Sequence, residues 1–262
     1  LRDVPALDRL LRRDRAIVGA ALLAVALVAW LYLLHLSATM SGLDMADMPG
    51  MAMPRAHAWD AVDVVLLVVM WTVMMTAMMV PAAAPMVLTF AVVQRRRREQ
   101  DRAAVPTVVF LLGYAVVWTG YAAAAALAQW RLHEADLLSA TMASTSARLG
   151  GVLFLVAGVF QWTPLKQACL AKCRSPLSFV MTEWRDGRAG AFVMGMRHGA
   201  YCVACCWALM ALLFVAGVMN LLWVAGLAAF VLAERVLPGG PALGRIVGGL
   251  LLVAGVVVLA RG

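Results

Sequence analysis

Five side chains able to hold a soft metal recur at one spacing: Met194, His198, Cys202, Cys206 and Met210 stand four residues apart, and Cys205 follows Cys202 by three. Steps of three and four stay on one face of an α-helix, so these groups form a slowly drifting stripe along a single helix. Thiolate and thioether sulfur select Cu(I), and imidazole also takes copper. Lone buried cysteines usually serve as small packing residues, but three within five positions, at 202, 205 and 206, exceed that need. His198 alone reads equally as a ligand and as a structural hydrogen-bonding group. Arg197 beside it either snorkels towards charged headgroups or favours the thiolate form of a nearby cysteine.

Three further sulfur groups accompany the stripe. Met40, Met45, Met48, Met51 and Met53 punctuate a Gly- and Pro-broken segment with His57 just beyond. Thioethers there have no core to fill and need no deprotonation, which suits capture of Cu(I). The alternative is a methionine flap lying on the membrane surface. Met70, Trp71, Met74, Met75, Met78 and Met79 precede Pro81 and Pro85; of these, 71, 74, 75 and 78 follow the spacing of one helical face. Packing is the ordinary use of such methionines, and their place between the methionine segment and the prolines adds weight to a ligand role. Cys169 and Cys173 face the same way if helical, and Lys166, Lys172 and Arg174 around them would favour thiolates at a cytoplasmic mouth. A reducing cytoplasm and an odd total of five cysteines disfavour a structural disulfide.

These residues sit in a chain that is 64% hydrophobic and 14% charged over 262 residues. That composition excludes an ordinary soluble domain and predicts an all-α, polytopic transmembrane helical bundle, a single integral membrane domain over 1–262. Ala16 to Leu36 is too long for the apolar core of a signal peptide and reads as an uncleaved anchor. The run from Asp60 to Val93 would make about 51 Å of helix against a hydrocarbon core of about 30 Å, so it must tilt, kink near Pro81 and Pro85, or lie partly in the interface. Further runs cover Val105 to Gln129, a stretch ending at Trp162 and Pro164, residues 190–233 as two helices with a turn near Gly217 to Asn220, and Ile246 to Ala260. The count is seven, or six if the stretch before Trp162 does not cross.

Seventeen of the twenty-two Lys and Arg fall in the N-terminus and near 95–102, 166–174, 185–188 and 235–245. That bias places the N-terminus in the cytoplasm and the segments 37–59 and 130–148 outside, in what reads as a bacterial inner membrane. The net charge of +8 is scattered between apolar stretches, so it reads as topology and not as a nucleic-acid surface. Acidic residues mostly flank the spans. No Gly-rich phosphate loop and no Ser/His/Asp arrangement is present, which excludes ATP-driven pumping by this chain and makes hydrolase or kinase chemistry unexpected.

Three strings together resemble a known family: Trp71-x-x-Met-Met-x-Ala-Met-Met-x-Pro81, Gln161-Trp-Thr-Pro-Leu-Lys-x-x-Cys169-Leu-x-x-Cys173-Arg-x-Pro176, and Gly195-x-x-x-Gly-x-x-Cys202-x-x-Cys-Cys-Trp207-x-Leu-Met210. Over about residues 60–235 the chain is similar to the bacterial family of predicted metal-binding integral membrane proteins, a domain of unknown function sometimes labelled copper chaperone. The resemblance implies metal binding in a membrane. The methionine segment at 37–59 lies outside those motifs and rests on its residues alone.

The reading that follows is a non-enzymatic protein handling Cu(I). The outer methionines collect the ion, the methionine face and the Cys/His/Met stripe hold or relay it, and Cys169 with Cys173 exchange it. Zinc or another soft metal is the alternative cargo, although zinc asks for more His and carboxylate. The partners such chemistry calls for are the lipid bilayer and a metallochaperone or other metal-receiving protein. Two rivals belong to other classes: a thiol–disulfide oxidoreductase using Cys202-x-x-Cys205, and a structural assembly partner whose sulfur only packs.

Overall fold

The computed structural model describes residues 4–42, 61–100, 103–135, 137 and 146–261. Among them there is no strand, and ten helices follow one another: α1 (Val4–Gly42), α2 (Ala61–Glu99), α3 (Thr107–Glu134), α4 (Ala147–Trp162), α5 (Pro164–Arg174), α6 (Pro176–Glu183), α7 (Gly187–Ala211), α8 (Leu213–Ala216), α9 (Leu221–Val236) and α10 (Gly240–Arg261). Met45, Met48, Met51, Met53 and His57 lie outside the described residues, as does the side chain of Met40.

Five helical stretches are long and apolar enough to cross a bilayer: 15–39, 61–99, 107–134, 187–216 and 240–261. A sixth arises if α4 and α5, bent by 67° at Thr163, are taken as one span. The remaining rod, α9, has 16 residues. At about 1.5 Å per residue it falls short of the hydrocarbon thickness. The expected seven spans thus become five full-length helices, one bent pair and one short helix.

Local chemistry sets the breaks. The start of α4, which the sequence alone left open, is fixed by Ser146, whose Oγ accepts the Leu149 N–H at 3.3 Å. Thr163 ends α4 in an extended conformation and at once caps α5, its Oγ1 accepting the Lys166 N–H at 3.3 Å with Pro164 in the first turn. The turn expected between 217 and 220 is present: Gly217 has φ +89°, and Asn220 Oδ1 accepts the Trp223 N–H at 3.2 Å. Helix α2 continues through both Pro81 and Pro85.

Close packing brings the sulfur-bearing helix against α3. A Cβ added at Gly113 would run into the backbone carbonyl of Phe192, and one at Gly195 into that of Phe110, so the two backbones meet where only glycine fits. Between α4 and α10, a Cβ at Gly151, Gly158 or Gly255 would meet leucine side chains and a backbone oxygen, and one at Gly248 the side chains of Gln161 and Trp162. The outer faces carry exposed Val62, Val65, Leu66, Leu222, Leu250 and Val253. Such a surface suits hydrocarbon.

Candidate functional site

The stripe on α7 is one buried face. Met194, His198, Cys202, Cys206 and Met210, with Cys205 beside them, are all at most 1% exposed. Cys205 and Cys206 each donate their S–H to the Cys202 carbonyl, at 3.2 and 2.9 Å, which gathers the thiols on one side of the helix. Cys173 on α5 lies beside Cys205. Cys169 and Cys173 are also buried, at 7% and 8% exposure.

The cation in contact with this sulfur is Arg235, from the last turn of α9. Its Nη2 lies 3.0 Å from Cys202 Sγ, 3.3 Å from Cys205 Sγ, 3.8 Å from Cys206 Sγ and 3.4 Å from the Cys202 carbonyl. Its Nε and Nη1 are buried with no hydrogen-bond partner. From α3, the Tyr114 hydroxyl sits 3.1 Å from Cys202 Sγ and also donates to the Met79 carbonyl on α2 at 3.3 Å. Helices α3, α7 and α9 therefore meet at one thiol, and Tyr114 ties α2 to it.

Several charges near the cluster have partners of their own. Lys166 does not stand free beside Cys169: it is fully buried, 2.7 Å from a carboxylate oxygen of Glu234 and hydrogen-bonded to Gln161. Arg174 donates to the Glu234 carbonyl and to that of Pro238 at 3.2 Å, closing the C-terminal end of α9. Lys and Arg are thus not confined to setting topology, and one acidic residue does pair inside the protein. A buried pair needs such added hydrogen bonds to offset its desolvation. Arg197 turns outward, as one of its two readings had it, and pairs with Glu183 at 44% side-chain exposure.

The remaining residues expected to bind metal are buried with mixed company. His198 lies among the rings of Phe179, Tyr114 and Phe110, at 5.5, 5.7 and 6.0 Å between centroids, and neither ring nitrogen has a partner. Met194 Sδ accepts the Arg185 N–H at 3.3 Å. Met70, Met74, Met75, Met78 and Met79 are buried on α2 together with Trp71, whose Nε1 donates to Gln129 at 2.6 Å and whose ring lies 5.3 Å from Phe214. Their burial extends beyond the single face read from the spacing. Of this group, Met79 is joined to the cysteines through Tyr114.

Arg235, Tyr114, Glu234 and Gln161 were not singled out as functional by the sequence reading. Adjacent opposite charges at Glu234 and Arg235, closing an apolar stretch, are the one available signal. Among the described residues no group of three or more His, Cys, Asp or Glu side chains is disposed to hold a metal ion.

No curated protein and no solved structure matches the chain. A family model described as copper chaperone matches residues 68–258, which takes in every cysteine, the methionines of α2 and Arg235. With more than two thirds of its length so matched, the chain belongs to the copper chaperone family.

Proposed function

We propose that this protein handles copper as Cu(I) within the inner membrane of a bacterium, holding and passing the ion without catalysing a reaction. The observation that carries this is the convergence of Cys202, Cys205 and Cys206 on one guanidinium nitrogen, with Cys173 at their side and no water-facing surface. Soft thiolates in low coordination, with thioethers near, suit Cu(I). On this reading the Met45, Met48, Met51 and Met53 segment collects the ion outside. The methionines of α2, with His198, Met194 and Met210, line its course, and Cys169 with Cys173 pass it towards the cytoplasmic side. A metallochaperone or other metal-receiving protein takes it there.

The test is the metal content of detergent-purified protein loaded anaerobically with Cu(I), with Zn(II) or with nothing, beside a variant carrying serine at 202, 205 and 206. Near-stoichiometric Cu(I) in the native chain and its loss in the variant are expected. No retained Cu(I) in the native chain would overturn the reading.

A further inference from the structure

Three apolar runs end at one level. That of α1 starts at residue 15 and that of α3 at 107, while α2 leaves its apolar stretch after Val93 and runs into Arg95, Arg96, Arg97 and Arg98. Where these ends meet, α1, α2 and the start of α3 enclose a cavity of about 370 Å³. It lies at the boundary between hydrocarbon and water, the depth of lipid headgroups.

The cavity is apolar on one side and cationic on the other. Ile17, Val18, Ala91 and Val105 face Arg95 and Arg98 across it. Glu99 also lines it and pairs with Arg95 at 3.0 Å, so two guanidinium groups against one carboxylate leave a net positive charge. Arg98 has no ion-pair partner among the described residues. Gln94, only 6% exposed, lines the same space; its Oε1 accepts the Val105 N–H at 3.0 Å, which leaves the two hydrogens of its Nε2 to donate. Pro106 and Thr107 add the first turn of α3, which no side chain caps and which therefore favours an anion. Topology asks for basic residues beyond the end of a span, not for a cavity built around them. Arg97 shows the other use of this block, turning away to Asp186 at 2.6 Å and to the ring of Trp184.

Two more cavities follow along the seam of α1 and α2. One of about 260 Å³ lies among Leu22, Val25, Thr76, Val80 and Leu111, and one of about 520 Å³ among Val25, Val28, Tyr32, Thr72 and Val73. Both are lined by Val25, Thr72 and Thr76, and the two threonine hydroxyls are turned back to the carbonyls of Val68 and Thr72. Ten residues of α1 separate Val18 from Val28, about 15 Å of helix, which is the depth of one leaflet.

We propose that this track binds one anionic phospholipid, with its headgroup phosphate at Arg95, Arg98 and Gln94 and its acyl chains in the two apolar cavities. A free phosphate would use the first cavity and leave the apolar track without a role. A zwitterionic lipid would fill the track and offer the arginines no net charge. The site goes beyond copper handling and stands independently of the cysteine cluster.

Detergent-purified protein is titrated with phosphatidylglycerol, with phosphatidylcholine of the same acyl chains and with inorganic phosphate, and bound molecules are counted by native mass spectrometry. A preference for phosphatidylglycerol of about tenfold over phosphatidylcholine is expected, the scale of one to two basic side chains at a membrane surface, with no inorganic phosphate retained. Combining Arg95→Gln with Arg98→Gln should bring that ratio close to one. Arg96→Gln, which removes a charge beside Trp184 on another side of α2, should keep it. Val25→Phe, at a residue common to both apolar cavities, should weaken the two lipids alike.

A ratio near one in the native chain overturns the proposal. So does an equal loss in Arg96→Gln, which would make the attraction one of surface charge alone, and so does unchanged binding in Val25→Phe. Inorganic phosphate retained through the same arginines would make this a soluble-anion site and overturn the lipid assignment. If the double variant does not fold, Arg98→Gln alone, at an exposed side chain, must lower the ratio.

Discussion

Cys202 is touched from three directions: by the thiols of its own helix at its carbonyl, by Arg235 and by the hydroxyl of Tyr114. Removing that hydroxyl in Tyr114→Phe keeps the ring between α2 and α7 while deleting two polar contacts. The cost in stability should be about 1 kcal/mol. Cu(I) affinity, measured by competition with a chromogenic Cu(I) chelator, should fall about tenfold as the sulfur loses its neighbour. Unchanged affinity would show that Tyr114 only packs. At this scale the sequence reading found the sulfur and missed what surrounds it. Cysteines four apart on a helix declare a shared face, whereas a single tyrosine in an apolar run and an arginine at the end of one look like ordinary residues of their kind. Only contact between α3, α7 and α9, separated by up to 88 and 33 residues in the chain, gives them meaning.

Between α3 and α7, Gly113 and Gly195 let two backbones approach to where a Cβ would strike a carbonyl. The approach holds Tyr114 against Cys202, so the site depends on it. Gly195→Ala should destabilise the protein by about 1–3 kcal/mol through overpacking, and more if the helices separate. Gly120→Ala, at an open position on α3, should be neutral or gain up to about 1 kcal/mol from helix propensity. Thermal unfolding in detergent, followed by tryptophan fluorescence, compares the two; equal midpoints would show that the crossing tolerates a wider spacing. The helices themselves were largely readable, because apolar runs of known length and a Gly217 to Asn220 turn carry their own signals. The bend at Thr163 was not read as one. Thr163-Pro164 looks like the end of a span, and its second role as a cap that starts α5 emerges only where the chain must turn inward to bring Lys166 to Glu234.

For the molecule as a whole, the distribution of Lys and Arg argues for an N-terminus in the cytoplasm. A cysteine introduced by Ala56→Cys should then react with a membrane-impermeant maleimide added to intact cells, and one introduced by Ala103→Cys should react only after the membrane is opened. The native cysteines are buried and provide a low background. The opposite pattern would invert the proposed direction of capture. Charge has a second consequence at this scale, in how the protein is made. Lys166 and Glu234 are 68 residues apart, and each is tolerable in the protein interior only beside the other. During synthesis α5 emerges first, and its lysine has no counter-charge until α9 follows. Lys166 therefore stays in contact with water until α9 brings Glu234 to it. The cysteine cluster takes Arg235 from that same helix, so a chain stopped before α9 lacks the finished arrangement of thiols around the guanidinium.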